Sequence, residues 1–173
     1  VGPVRRELAV PTVMNIVGPL ANPASAGRQV LGVAETQRMG LLAGALAALG
    51  TRHALIVHGA PGMDEFSPLG PTRVMEVRGA ETREWTVEPS AYGFGPFAPE
   101  ALAGGTPAEN ARIVRDVLGG AGNSASTAAV ILNAAAALLV GGVVEDFGDG
   151  VELARRGIRE GAGLAALERL KLA

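Results

Sequence analysis

Ala54-Leu55-Ile56-Val57 is a run with no polar break. Apolar on consecutive rather than alternate positions, it reads as a strand buried on both faces. Such a strand needs cover above and below, and the residues before it supply part of that cover. Residues 28–34 (RQVLGVA) read as a short strand. Residues 36–49 carry apolar side chains at helical spacing, and Gly50 stands where a C-terminal cap belongs. Strand, helix, strand within about 30 residues is the pattern of two parallel strands joined by a crossover helix. The predicted fold class is α/β, based on a parallel sheet.

Residues 73–77 and 82–87 alternate in polarity around Arg78-Gly79-Ala80-Glu81, which suits an added β-hairpin. Residues 90–105 form a Gly- and Pro-rich linker with a few apolar anchors. A helix is predicted over 106–118: Thr106 can cap it, Pro107 occupies the first turn, and Glu109 is placed to complete a capping box. Residues 124–140 are Ala-rich and apolar on nearly every face, which predicts a buried helix. Amphipathic helices are predicted over 149–160 and 164–172, so α/β structure comes first and a helical C-terminal part follows. Before all of this, Pro3, Pro11, Pro19 and Pro23 break the first segment into short pieces.

The chain has 173 residues, enough for one core and a small extra lobe. Net charge is -2, which argues against a broad nucleic-acid footprint. No cysteine is present, so disulfides, thiolate metal sites and thiol catalysis are excluded. That fits a reducing, cytoplasmic setting. No uninterrupted apolar run approaches the about 20 residues of a membrane helix, and no signal peptide is visible. The chain begins at Val1 without a Met, which suggests a fragment or a processed product.

Asp64 and Glu65 follow the buried strand through a Gly/Pro loop, His58-Gly59-Ala60-Pro61-Gly62-Met63. In open α/β sheets ligands bind beyond the carboxyl ends of the strands. A carboxylate pair there suits Mg²⁺, which takes oxygen ligands and often bridges to substrate phosphates. On the pair alone, a solvated acidic turn is the more ordinary reading. Asn15 and Asn22 frame the Gly18-Pro19 turn in NIVGPLANP, where Gly18 allows close approach to a ligand. Taken alone, a plain structural turn is the more ordinary reading of that stretch. Arg5 and Arg6 offer guanidinium groups to a carboxylate or phosphate, or simply a solvated helix face. His58 reads as a structural side chain at a strand end, since His53 is its only histidine company. Gly104-Gly105-Thr106 could receive an anion at a helix N-terminus, although the cap suffices to explain it. The sequence holds no GxSxG, Walker A or GxGxxG motif.

Together these stretches resemble a known family. VRREL (4–8), NIVGPLANPA (15–24), HGAPGMDEFSPLGPTRV (58–74), ENA (109–111), LNAAAAL (132–138) and GVELAR (150–155) resemble the C-terminal half of the anthranilate phosphoribosyltransferases. The second and third are specific in combination and order, and the resemblance covers nearly the whole chain. It implies transfer of the phosphoribosyl group of phosphoribosyl pyrophosphate to the amine of anthranilate, releasing pyrophosphate, in tryptophan biosynthesis. It also implies a small helical domain joined to an α/β domain like that of the nucleoside phosphorylases. Residues 1–24 would then be a remnant of the helical domain with the anthranilate-side loop, and 25–173 the α/β domain.

Carried over residue by residue, Asp64 and Glu65 match the acidic pair that binds Mg²⁺ on the pyrophosphate side. Arg5 matches the arginine placed for the anthranilate carboxylate, and Gly18 and Pro19 match a turn on the anthranilate approach path, which Asn15 and Asn22 would support. No residue is assigned as a catalytic base. Pro11-Thr12 stands where the family usually has Arg-Thr, and Met14 where it often has Phe. The family's GTGGD and KHGN-type donor motifs do not occur here. The expectation is therefore that this chain alone neither binds the donor tightly nor turns over. The resemblance further implies a homodimer for the full-length protein, with no nucleic-acid or membrane partner. Two alternatives share the scaffold: a non-catalytic nucleic-acid-binding relative and a nucleoside phosphorylase relative.

Overall fold

The computed structural model describes residues 17–18, 20–23 and 26–172. Strands β1 (Arg28–Gly32) and β2 (His53–Gly59) run parallel, in register from Arg28↔His53 to Gly32↔Val57. The crossover begins as a 3-10 turn at Thr36–Arg38 and continues as α1 (Met39–Ala48). Its end is a Schellman closure: Gly50 takes the left-handed conformation, its N–H bonds Ala47 O, and Thr51 N–H bonds Leu46 O. Thus Gly50 caps the helix, as its place in the sequence predicts.

Strands β3 (Thr72–Arg78) and β4 (Glu81–Val87) form the hairpin, with left-handed Gly79 in its two-residue turn. The sheet order is β1-β2-β3-β4, and β3 is antiparallel to β2. Parallel pairing is confined to β1 and β2, so the sheet is mixed. The predicted linker carries two 3-10 turns, Pro89–Tyr92 and Pro99–Leu102.

The helical part comprises α2 (Pro107–Leu118), α3 (Ser124–Gly141), α4 (Phe147–Arg159) and α5 (Ala162–Leu170). Helix α2 starts on the expected capping box. The backbone N–H and hydroxyl of Thr106 both bond the Glu109 carboxylate at 2.7 Å, and the N–H of Gly105 is taken by Asn110. Those donors are occupied from within, so this helix start is a cap and not an anion site. Helix α4 begins two residues earlier than predicted because Asp146 caps it, accepting from Asp149 N–H at 2.9 Å. This places Phe147 in the first turn, where it enters the core.

The two faces of β2 explain the layers. Ala54 and Ile56 face α1, packing with Met39, Leu42, Ala43 and Leu46. Leu55 and Val57 face α3 and α4, packing with Leu132, Ala135, Ala136, Phe147 and Val151. All four β2 residues are fully buried. By length and composition α3 could also cross a membrane. Here it lies across the sheet with Ala128, Leu132 and Ala135 fully buried, while Val130 and Ala137 on its outer face stay exposed. The small side chains let helices approach closely: a Cβ on Gly150 of α4 would lie 2.9 Å from Ala135 O.

A carboxylate is among the polar groups buried here. Glu76 of β3 is 1% exposed and receives hydrogen bonds from His53 Nε2 (2.8 Å), Arg78 Nε (2.5 Å), Arg83 Nε (2.7 Å) and Trp85 Nε1 (3.0 Å). Burial alone would raise its pKa; the bonds from Arg78 and Arg83 outweigh it and hold the carboxyl at about 2. His53 has ion-pair geometry toward Glu76, but burial lowers its pKa below 6.5 despite that partner. It therefore acts as a neutral N–H donor.

Glu76 titrates below the 4.5 of an unfolded glutamate, so its stabilisation is complete above pH 4.5 and is lost as pH falls toward 2. Protonation of His53 in the unfolded chain below pH 6.5 acts in the same direction. Glu76→Ala should cost about 2–3 kcal/mol in urea unfolding at neutral pH, because the donors of buried His53 and half-buried Trp85 lose their acceptor. Glu76→Gln should flatten the acid limb of the stability–pH curve. An acid limb unchanged in Glu76→Gln would remove this role.

Candidate active site

The loop leaving β2 turns back over the carboxyl ends of both parallel strands. Gly59 and Met63 exchange backbone hydrogen bonds at 2.8 and 2.7 Å, and Ala60 N–H bonds Pro71 O at 2.9 Å. The far side is held by two buried hydroxyls. Ser67 Oγ donates to Ala60 O and accepts from Leu69 N–H, while Ser67 N–H bonds Thr72 Oγ1 at 3.0 Å.

Two glycines receive the loop. A Cβ on Gly32 would lie 1.4 Å from the carbonyl oxygen of Asp64, and one on Gly59 would lie 2.5 Å from that of Glu65. The backbone of Asp64 therefore rests on the end of β1 and that of Glu65 on the end of β2. Only a residue without a side chain permits either contact.

This fixes the backbone of the acidic pair and leaves its side chains outward. Asp64 and Glu65 are exposed, and among the described residues neither carboxylate has a hydrogen-bond or ion-pair partner. The described residues contain no group of three or more His, Asp or Glu side chains that could enclose a metal ion. Two adjacent carboxylates with no partner among the described residues have the oxygen chemistry that Mg²⁺ takes, an ion that completes its shell with water and substrate oxygens. The chemistry of the pair fits that ion.

Neighbouring side chains have structural duties. His58 is half-buried, and its Nδ1–H donates to Val33 O at 2.9 Å, tying the end of β2 to the chain leaving β1. That is the strand-end role expected of it. Arg155 of the GVELAR stretch lies 4.2 Å from the Phe94 ring centre and donates to Tyr92 O.

The other predicted site residues lie elsewhere. Gly18 is exposed in a turn held by bonds from Leu20 N–H and Ala21 N–H to Val17 O, with open space around it. Asn22 lines a cavity of about 200 Å³ with Gly27, Gly50 and Thr51, at the amino ends of β1 and β2. It is thus at the opposite end of the strands from Asp64 and Glu65. Arg5, Asn15 and Pro19 lie outside the described residues, as do Arg6, Pro11 and Met14.

Residues 1–164 match the family described as "Glycosyl transferase family, a/b domain". The chain belongs to that family. Within this glycosyl transferase family it is 50% identical to the anthranilate phosphoribosyltransferase of Thermomicrobium roseum, over 98% of this chain and 49% of that protein. The Rubrobacter xylanophilus enzyme of the same name is 47% identical over 98% of this chain and 49% of its own length. Among solved structures, anthranilate phosphoribosyltransferase from Thermus thermophilus superposes with a TM-score of 0.86 at 39% identity, covering 98% of this chain and 50% of that one. The Saccharomyces cerevisiae enzyme in complex with PRPP and Mg gives 0.84 at 30% identity, over 96% of this chain and 48% of its own. The chain spans about half the length of the curated relatives it matches.

Two supports of this loop are not evident from their place in the sequence. Gly32 looked like an ordinary residue of a strand, and its contact with Asp64 depends on how the loop folds back. Asn133 was one letter in LNAAAAL, yet its amide brackets the backbone of Phe66, next to Glu65. A lone amide within the apolar stretch from Ala128 to Val140 signals the need for a partner but not which residue that partner is.

Gly32→Ala should force the loop off the end of β1. The expected cost is about 1–3 kcal/mol, typical of overpacking against backbone. Thermal unfolding and a crystal structure of the variant would show it as a lower Tm and a displaced Asp64. An unaltered Tm with Asp64 in place would contradict the contact.

Proposed function

We propose that this chain supplies the α/β half of an anthranilate phosphoribosyltransferase, which joins the phosphoribosyl group of phosphoribosyl pyrophosphate to the amine of anthranilate in tryptophan biosynthesis. The carrying observation is the Asp64–Glu65 carboxylates, without a partner among the described residues, across the carboxyl ends of the parallel strands, in a chain 50% identical to an enzyme of that name. On this reading residues 25–173 form the α/β domain, and 1–24 continue the helical domain with the anthranilate-side loop. The family resemblance further suggests a cytoplasmic homodimer for the full-length protein.

Asp64 and Glu65 would hold Mg²⁺ on the pyrophosphate side, where the ion offsets the negative charge growing on the leaving group. The amine nitrogen forms its bond to the ribose C1 as the C1–oxygen bond to pyrophosphate breaks, and the nitrogen then loses a proton. An aromatic amine is nucleophilic when neutral, so holding the two substrates together accounts for much of the task. No base is assigned among the residues of this chain. Gly18, Pro19 and Arg5 would face anthranilate: Arg5 would pair with its carboxylate, and Asn15 and Asn22 would support the turn.

Two measurements test the reading. In the full-length enzyme, Glu65→Gln should lower activity at limiting Mg²⁺ by about 10–100-fold, and part of the loss should return at high Mg²⁺. Activity indistinguishable from the parent at every Mg²⁺ concentration would end the metal role. The isolated 173-residue chain, given anthranilate, phosphoribosyl pyrophosphate and Mg²⁺, should form no N-phosphoribosyl-anthranilate, because it lacks the family's GTGGD and KHGN-type donor motifs. Detectable product would contradict that.

A further inference from the structure

Asn133 is placed mid-way along α3, and its side chain is used in full. Its Oδ1 accepts from Phe66 N–H at 3.0 Å, and its Nδ2 donates to Phe66 O at 2.9 Å and to Ala129 O at 2.9 Å. An asparagine amide has two N–H donors, and both are engaged. The two bonds to Phe66 satisfy the N–H and the C=O of one residue, as a neighbouring strand would. The third locks the amide to its own helix, so the clamp has little freedom to turn.

Phe66 directly follows Glu65. Its ring is fully buried and stacks on Phe147 with centroids 5.0 Å apart. Residue 66 is therefore held through its backbone by α3 and through its side chain by α4. On the other side of the pair, the Gly59–Met63 bonds and the contact of Asp64 with Gly32 fix the chain. Between these anchors the Asp64 and Glu65 side chains are exposed and have no partner among the described residues. Two like charges side by side repel, and holding them in one arrangement before a cation arrives removes that ordering cost from binding.

We infer that Asn133 is a positioning residue for the cation site: by bracketing the Phe66 backbone it sets where the Glu65 carboxylate stands, and so sets the divalent-ion affinity without touching the ion. This rests on the reading of Asp64 and Glu65 as the Mg²⁺ pair.

The test uses the full-length enzyme, with Mn²⁺ as an EPR-visible stand-in for Mg²⁺ and pyrophosphate present. Asn133→Leu keeps the approximate shape and removes all three hydrogen bonds. Its Mn²⁺ Kd should rise by about tenfold or more, the usual effect of removing a group that orients a metal ligand. The KM for Mg²⁺ should rise with it while the KM for anthranilate stays at the parent value. Leu139→Ala, in the core on the same helix, lowers stability while leaving the Asn133 hydrogen bonds to Phe66 in place and should leave the Mn²⁺ Kd unchanged. Should Asn133→Leu not fold, Asn133→Asp carries the same comparison, since it keeps the acceptor for Phe66 N–H and loses both donors. An Asn133 variant with the parent's Mn²⁺ Kd overturns the inference. Asp64→Asn separates the two levels. Weakened Mn²⁺ binding in Asp64→Asn with none in the Asn133 variant discards positioning alone, and parental binding in Asp64→Asn discards the metal reading and the inference together.

Discussion

The constraint on which the structure depends is the complete burial of β2. A strand with Leu55 and Val57 on one face and Ala54 and Ile56 on the other cannot border water on either side. Helix α1 has to lie on one face, and α3 and α4 on the other. The crossover that puts α1 in place makes β1 parallel to β2, and parallel neighbours bring their carboxyl ends to the same edge. The edge that carries Asp64 and Glu65 is thus a by-product of covering one strand.

The molecule separates its polar work by position. At the amino end of β2, Glu76 gathers His53, Arg78, Arg83 and Trp85 into a closed set in which the carboxylate is fully engaged. At the carboxyl end, two carboxylates stand with no partner among the described residues. The first arrangement stabilises a buried charge by satisfying it, and the second leaves charge unsatisfied where solvent and ligands reach it. Within one small sheet, the same chemical group is structural at one end and available at the other.

What could be read from the sequence followed the range of the interactions. The buried strand, the hairpin turn and the Thr106 cap depend on residues within a few positions of one another, the crossover on one continuous stretch of about 30, and all are legible. The first turn of α4 was not, since Gly148 and Gly150 weaken its helical signal and Asp146 was not recognised as its cap. The acidic pair was visible as a motif, and its position past a buried strand was deducible. Its supports were hidden because they come from afar: Gly32 from the preceding strand, and Asn133 from 67 residues beyond Phe66. The likeness to phosphoribosyltransferases came from NIVGPLANPA and the acidic loop taken together, since either stretch alone admits a plain structural turn.

The contact between Gly32 and Asp64 has a consequence for anyone who would move this loop. The segment from Gly59 to Thr72 looks self-contained, closed by its own hydrogen bonds, and it could be copied onto another pair of parallel strands as a cassette. It would not sit there. The host would need a glycine at the end of the adjacent strand, where any side chain would collide with the loop's backbone. It would also need a helix presenting an amide to the residue after the pair. The transplantable unit is therefore a discontinuous one, three pieces of chain that share no stretch of sequence.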